Sequence, residues 1–168
     1  MESPDRTPPP LSGDERTMLA AYLQYQRETL AWKCSGLGAD QLREQAVPPS
    51  QISLLGLVRH MADVERGWFR NVVNGEDTAD LWAGTTGHYR DFEVADADVD
   101  EAFDAWHRAC ARSREIVAAA PSLDVTGRAD DGKDYSLRNV LLHMIEEYAR
   151  HNGHADLIRE RIDGATGE

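Results

Sequence analysis

Four segments of this chain repeat apolar residues at spacings of three and four, and glycine, proline or aspartate interrupts the pattern between them. No stretch alternates apolar and polar residues with comparable strength. Such a chain can bury its apolar stripes only by packing helix on helix, so the expected fold is an all-α four-helix bundle. The first helix is expected from about 13 to 35, with Leu19, Tyr22, Leu23, Gln26 and Leu30 on one face. Ser12 is its expected cap, Asp14 and Glu15 suit the dipole in its first turn, and Gly36 and Gly38 end it. Pro48 and Pro49 forbid helix before the second element, expected from about 53 to 73. Its stripe is Leu54, Leu57, Val58, Met61, Val64, Trp68 and Val72, closed by the turn Asn74-Gly75.

A long connection, about 76 to 97, follows the second helix and contains Trp82, Gly84, Gly87, His88 and Tyr89. A loop of that length in a bundle is a crossover or a functional lid, and a crossover would lay the middle two helices parallel. The third helix is expected from Val99 to Ala120 on Val99, Phe103, Trp106, Cys110, Ser113 and Val117, and Pro121 stops it. Asp130-Asp131-Gly132 is a turn that joins either a short hairpin or a plain loop. Ser136 is placed to cap the last helix, which runs to about Ile162, with Gly164 just beyond. Residues 1–12, with Pro8, Pro9 and Pro10 in a row, read as a flexible leader, and 13–163 as the bundle.

Composition narrows the function classes. A formal net charge of −12 opposes binding to a nucleic-acid backbone, which needs a basic stripe. No apolar run approaches the roughly 20 residues of a membrane span, and the polar, proline-rich start has no signal-peptide core. Cys34 and Cys110, the two cysteines, both fall inside helical patterns, which suits small core residues and a reducing cytoplasm rather than a disulfide framework. Asp96, Asp98, Asp100 and Glu101 read as solvated charge at a helix N-terminus.

The chemistry lies in polar residues that fall on apolar stripes. In the last helix, Leu137, Val140, Leu141, Met144, Ile145, Tyr148, Ala155, Ile158 and Ile162 make the buried face. His143, Glu147 and His151 follow one another at four-residue spacing along it. A carboxylate turned inward without a partner costs several kcal/mol, so an arginine, a helix terminus or a metal must compensate. His60 sits on the edge of the second helix's stripe, beside Met61. Two helices that each aim a histidine inward, one with a carboxylate four residues away, can converge on one cation. Two imidazoles and a carboxylate suit Zn²⁺ first, with Ni²⁺, Fe²⁺ or Mn²⁺ as alternatives, and leave a coordination position open. Taken alone, the same residues also serve as a solvated Glu–His pair and a hydrogen-bonded edge histidine. His154, three residues after His151, is a reserve ligand or a support for one.

The segments from Leu54 to Phe69 and from Leu141 to Asp156 resemble the second and last helices of the DinB/YfiT-like superfamily, and more closely an actinobacterial branch of it. The likeness runs from about Leu11 to Ile162. It implies a four-helix bundle whose metal is held by His60, Glu147 and His151. In the commonest members the last helix supplies two histidines, the second followed by Arg-Gly-Gln. Here Glu147 replaces the first histidine and Asn152-Gly153-His154 replaces the tripeptide. That pattern is similar to the His, Glu, His site of the mycothiol-dependent maleylpyruvate isomerases. The resemblance therefore implies a cytoplasmic, homodimeric, metal-dependent enzyme that uses a thiol such as mycothiol as transferase or isomerase. A non-catalytic metal- or ligand-binding module of a stress response is the alternative.

Overall fold

In the computed structural model residues 6–82 and 90–167 are described. Helix α1 spans Glu15–Cys34, α2 Ala39–Arg43, α3 Leu54–Glu65, α4 Val99–Ala119 and α5 Leu137–Asp163. The strands β1 (Thr126–Arg128) and β2 (Asp134–Ser136) form one small antiparallel ladder. The protein is thus mostly helical. Of the two readings of Asp130-Asp131-Gly132, the hairpin is the one observed, with Gly132 at φ 78° in its turn. Residues 74–98 separate the second long helix from α4, and those described carry no helix or strand. Gly84, Gly87, His88 and Tyr89 lie outside the described residues. No helix among the described residues is long and apolar enough to cross a membrane.

The caps explain the boundaries. Asp14, rather than Ser12, starts α1: its carboxylate accepts from both the backbone N–H and the hydroxyl of Thr17. Two bonds from one side chain fix the start there. Ser53, Asp98 and Ser136 cap α3, α4 and α5 through N–H groups three residues on. Gly164, at φ 79°, closes α5 in the left-handed region. Upstream of α1, Arg6 donates to the Tyr25 hydroxyl and stacks over Trp32.

The second long helix is not α-helical throughout. From Arg66 to Val73 it continues in π geometry, and the Asn74 N–H reaches back five residues to the Phe69 carbonyl. The hairpin packs on this stretch. A Cβ on Gly127 would lie 1.7 Å from the Val72 carbonyl oxygen, so only glycine allows that approach. Gly127→Ala is therefore expected to destabilise the fold by about 1–3 kcal/mol, read as a lower urea midpoint. An unchanged midpoint would mean that the hairpin shifts freely.

Packing pairs α1 with α5 and α3 with α4, and α3 also meets α5 and, more lightly, α1. Leu23, Leu30, Leu57, Met61, Trp106, Leu141, Met144 and Tyr148 contribute to the shared core. Two expectations for α1 change. Tyr22 is 43% exposed, and the buried stripe is Leu23, Arg27, Leu30 and Cys34. Arg27 belongs in that stripe because fully buried Glu65 lies opposite. Its Nε and Nη2 donate to the two Glu65 oxygens at 2.7 and 2.8 Å. The Tyr148 hydroxyl donates to the same carboxylate at 2.9 Å and accepts from the Trp106 indole at 2.8 Å. One carboxylate from α3 thereby ties α1 and α5 together and, through the Tyr148 hydroxyl, reaches α4.

Candidate metal centre

His60 enters the site from α3, and Glu147 and His151 enter one turn apart on α5. Burial of the Met61 and Leu57 side of α3 leaves His60 at the helix edge, with 23% of its side chain exposed. Burial of Met144, Tyr148 and Ala155 turns Glu147 and His151 toward it. His60 Nε2 lies 3.4 Å from Glu147 Oε1, and His151 Nε2 lies 3.1 Å from the same oxygen. The two imidazole rings meet edge to face at 4.8 Å between centroids. All three potential ligand atoms fall within 4.8 Å of one another, the one such group of three among the described residues.

Both outer nitrogens of the histidines are occupied. Asp91 Oδ2 lies 3.0 Å from His60 Nδ1, and His154 Nδ1 lies 3.3 Å from His151 Nδ1. A proton on His60 Nδ1, donated to Asp91, leaves the Nε2 lone pair facing the centre, the tautomer a metal needs. Asp91 is buried and its Oδ1 has no partner. Phe92 stacks on the His60 ring at 5.6 Å and shields one flank. Phe92 comes that close to α3 because Gly56 has no side chain: a Cβ there would lie 2.6 Å from Phe92 Cδ1.

Charge is balanced around this donor set. Burial opposes protonation of His60, but its bonds to Asp91 and Glu147 outweigh burial and hold its pKa above the ordinary value. Burial and the neighbouring His60 push His151 down to about 4, so it is neutral at pH 7. Burial works against the Glu147 charge, yet the His60 hydrogen bond, His151 and Arg150 keep its carboxyl below the ordinary range. Arg150 reaches Glu147 Oε1 at 2.7 Å and His151 Nε2 at 3.4 Å, so a guanidinium already rests on two of the three atoms. Two imidazole nitrogens around an ionised carboxylate suit a divalent cation, whose binding would displace the proton that His60 tends to hold.

A family model described as mycothiol S-transferase matches residues 18–164. The chain belongs to that family, a DinB-like one. A comparison with curated proteins finds no match.

In this mycothiol S-transferase family member, the three residues singled out in the sequence come together, and the reserve His154 and the neighbouring His143 take different places. His154 braces His151 from behind, while His143 packs its ring on Trp68 at 4.7 Å, away from the centre. Both cysteines are buried, and burial pushes each thiol up to about 12. Neither is a nucleophile at neutral pH, so a reacting sulfur would have to come from outside the chain. Asp91, Phe92 and Arg150 were not singled out in the sequence. Asp91 and Phe92 lie in the long connection, where no periodicity says which way a side chain points. Arg150, three residues after Glu147, had a signal in its helical spacing.

Proposed function

We propose that this protein is a divalent-metal-dependent S-transferase that joins a mycothiol-type thiol to a small electrophile. The carrying observation is the convergence of His60, Glu147 and His151 within a chain matched by the mycothiol S-transferase family model. His60, Glu147 and His151 would hold the cation, Zn²⁺ in the first place and Ni²⁺, Fe²⁺ or Mn²⁺ as alternatives. A cation bound there supplies a Lewis acid that keeps a thiol ionised at neutral pH. The protein's own groups do the rest. Asp91 fixes the His60 tautomer, His154 orients His151, and Phe92 keeps water from one side of the imidazole. In the overall reaction the sulfur forms a bond to carbon, the leaving group departs with its electron pair, and the thiol proton passes to solvent.

The test is a turnover assay with purified holoenzyme, mycothiol and a haloaromatic electrophile, following thiol loss and thioether formation by mass spectrometry. One thioether per thiol consumed, at a rate that falls to background in His60→Ala, is expected. Metal-loaded protein with no rate above background would favour the non-catalytic binding module.

Asp91 provides a second test of the same site. Asp91→Ala is expected to lower metal affinity about 10–100-fold, the usual effect of losing a group that orients a ligating histidine. Competition with a chromogenic chelator measures it, and an unchanged affinity would remove Asp91 from the site.

The remaining assignments share this reading. Residues 13–163 are taken as a four-helix bundle behind the leader 1–12, and the protein as a cytoplasmic homodimer. Light scattering at micromolar concentration is expected to give twice the chain mass of 18.7 kDa, and the chain mass itself would refute the dimer.

A further inference from the structure

Beside the metal centre lies a cavity of about 600 Å³, lined by Gln45, Gln51, Arg59, Trp82, Arg90 and Phe92 together with the chain from 93 to 97. It adjoins the site through two residues: Phe92 forms part of its wall and stacks on His60, and Arg59 immediately precedes His60 on α3. Its volume falls within the ordinary range for small-molecule pockets. The cavity is distinct from the ligand set, since none of the three converging residues lines it.

The lining chemistry identifies the kind of ligand. Arg59 is 6% exposed, yet its Nε has no hydrogen-bond partner. Its Nη1 donates to the Glu93 carbonyl, and its guanidinium lies over the Trp82 ring at 4.8 Å. A buried N–H without an acceptor costs about 1–3 kcal/mol, and this Nε is closed off from the cavity, so Arg59 meets the cavity through the rest of its side chain. An anion is a poor candidate, because the cations are already balanced. Arg90 pairs with the Glu93 carboxylate, and Asp96 adds a second acid to the wall. Two amides, two guanidiniums and two carboxylates beside two aromatic rings offer both donors and acceptors with no surplus charge. That mixture suits a neutral polyhydroxylated ring.

We propose that this cavity holds the sugar portion of the thiol whose sulfur reaches the His60, Glu147 and His151 centre. The inference rests on the thiol reading above and adds where specificity for that thiol resides. Mycothiol carries its cysteinyl sulfur on an aminosugar joined to a cyclitol, an uncharged polyol of the kind this wall matches. Gln51 and Gln45 line it from the segment before α3, and Trp82 adds an aromatic ring against which C–H groups can pack. A simple thiol without the sugar leaves these groups unmatched and gains only the sulfur contact.

The Co²⁺-loaded full-length protein, titrated with mycothiol and with N-acetylcysteine, separates the two contributions. The sulfur-to-cobalt charge-transfer band reports binding directly, without turnover. Wild-type protein is expected to bind mycothiol at least about tenfold more tightly than N-acetylcysteine. Gln51→Ala and Trp82→Ala should each weaken mycothiol several-fold and leave N-acetylcysteine unchanged. Gln51 is exposed ahead of α3, so its truncation leaves the fold intact. Equal affinities for the two thiols, or variants that leave mycothiol affinity unchanged or weaken both thiols alike, would overturn the sugar site while the thiol reading stands. No band with either thiol would overturn the thiol reading and the sugar site with it.

Discussion

His60→Ala and His151→Ala proteins are each expected to emerge from purification with less than about a tenth of the wild-type metal content. Each change would remove one of the three proposed ligands and leave Glu147 with a single imidazole partner. A metal-binding free energy on the order of 10 kcal/mol shared over three ligands implies a loss of at least about 10²–10³-fold in affinity per ligand. His143→Ala should keep full metal content, because that ring packs on Trp68. His154→Ala should fall between, since it touches only the far nitrogen of His151. Metal analysis by mass spectrometry on untagged protein distinguishes the four. Equal metal loss in all four, or in none, would contradict the assignment.

The largest stability effect is expected at Arg27, far from that chemistry. Arg27→Ala leaves the fully buried Glu65 carboxylate without its bidentate partner, a change that costs about 3–5 kcal/mol. For a domain of this size that corresponds to a fall of about 6–20 °C in Tm. The pH dependence has a definite sign. Burial favours the neutral acid, but the Arg27 charge and its hydrogen bonds outweigh burial, so the folded pKa lies below the ordinary 4.5. The pair therefore contributes fully above pH 4.5 and is lost as pH falls through the lower folded value. Wild-type protein should lose stability steeply in that acid range, and Arg27→Met/Glu65→Leu should be flatter there while recovering much of the loss. Urea denaturation between pH 3 and 7 measures both. An Arg27→Ala protein as stable as wild type would mean that Glu65 takes up a proton at little cost.

The face of α5 from Leu137 to Ile158 was legible in the sequence because an apolar stripe that long leaves one rotation of the helix, which placed Glu147 and His151 inward. His60 was legible as a polar residue on the edge of an apolar stripe. Arg27 and Glu65 were not, because a charge on an amphipathic helix reads as surface unless its partner is known, and the partner lies 38 positions away. Asp91 escaped for a related reason: a hydrogen bond across 31 positions leaves no local pattern. The five-residue helix Ala39–Arg43 is shorter than any window in which periodicity can be judged. The π stretch Arg66–Val73 departs too little from a spacing of three and four to be seen in composition. Local chemistry thus announced the Ser136 cap and the turns and brought out His60, Glu147 and His151 as candidates, and the long-range pairs needed the fold.

On the proposed function, the open side of the His60, Glu147 and His151 centre receives a thiol sulfur. The most direct measurement is the absorption spectrum of the Co²⁺-substituted protein as mycothiol is added. A sulfur-to-cobalt charge-transfer band that saturates at one thiol per metal, and that is missing in Glu147→Ala protein purified without metal, is the expected result. A fully metal-loaded protein whose spectrum does not change on adding the thiol would contradict it.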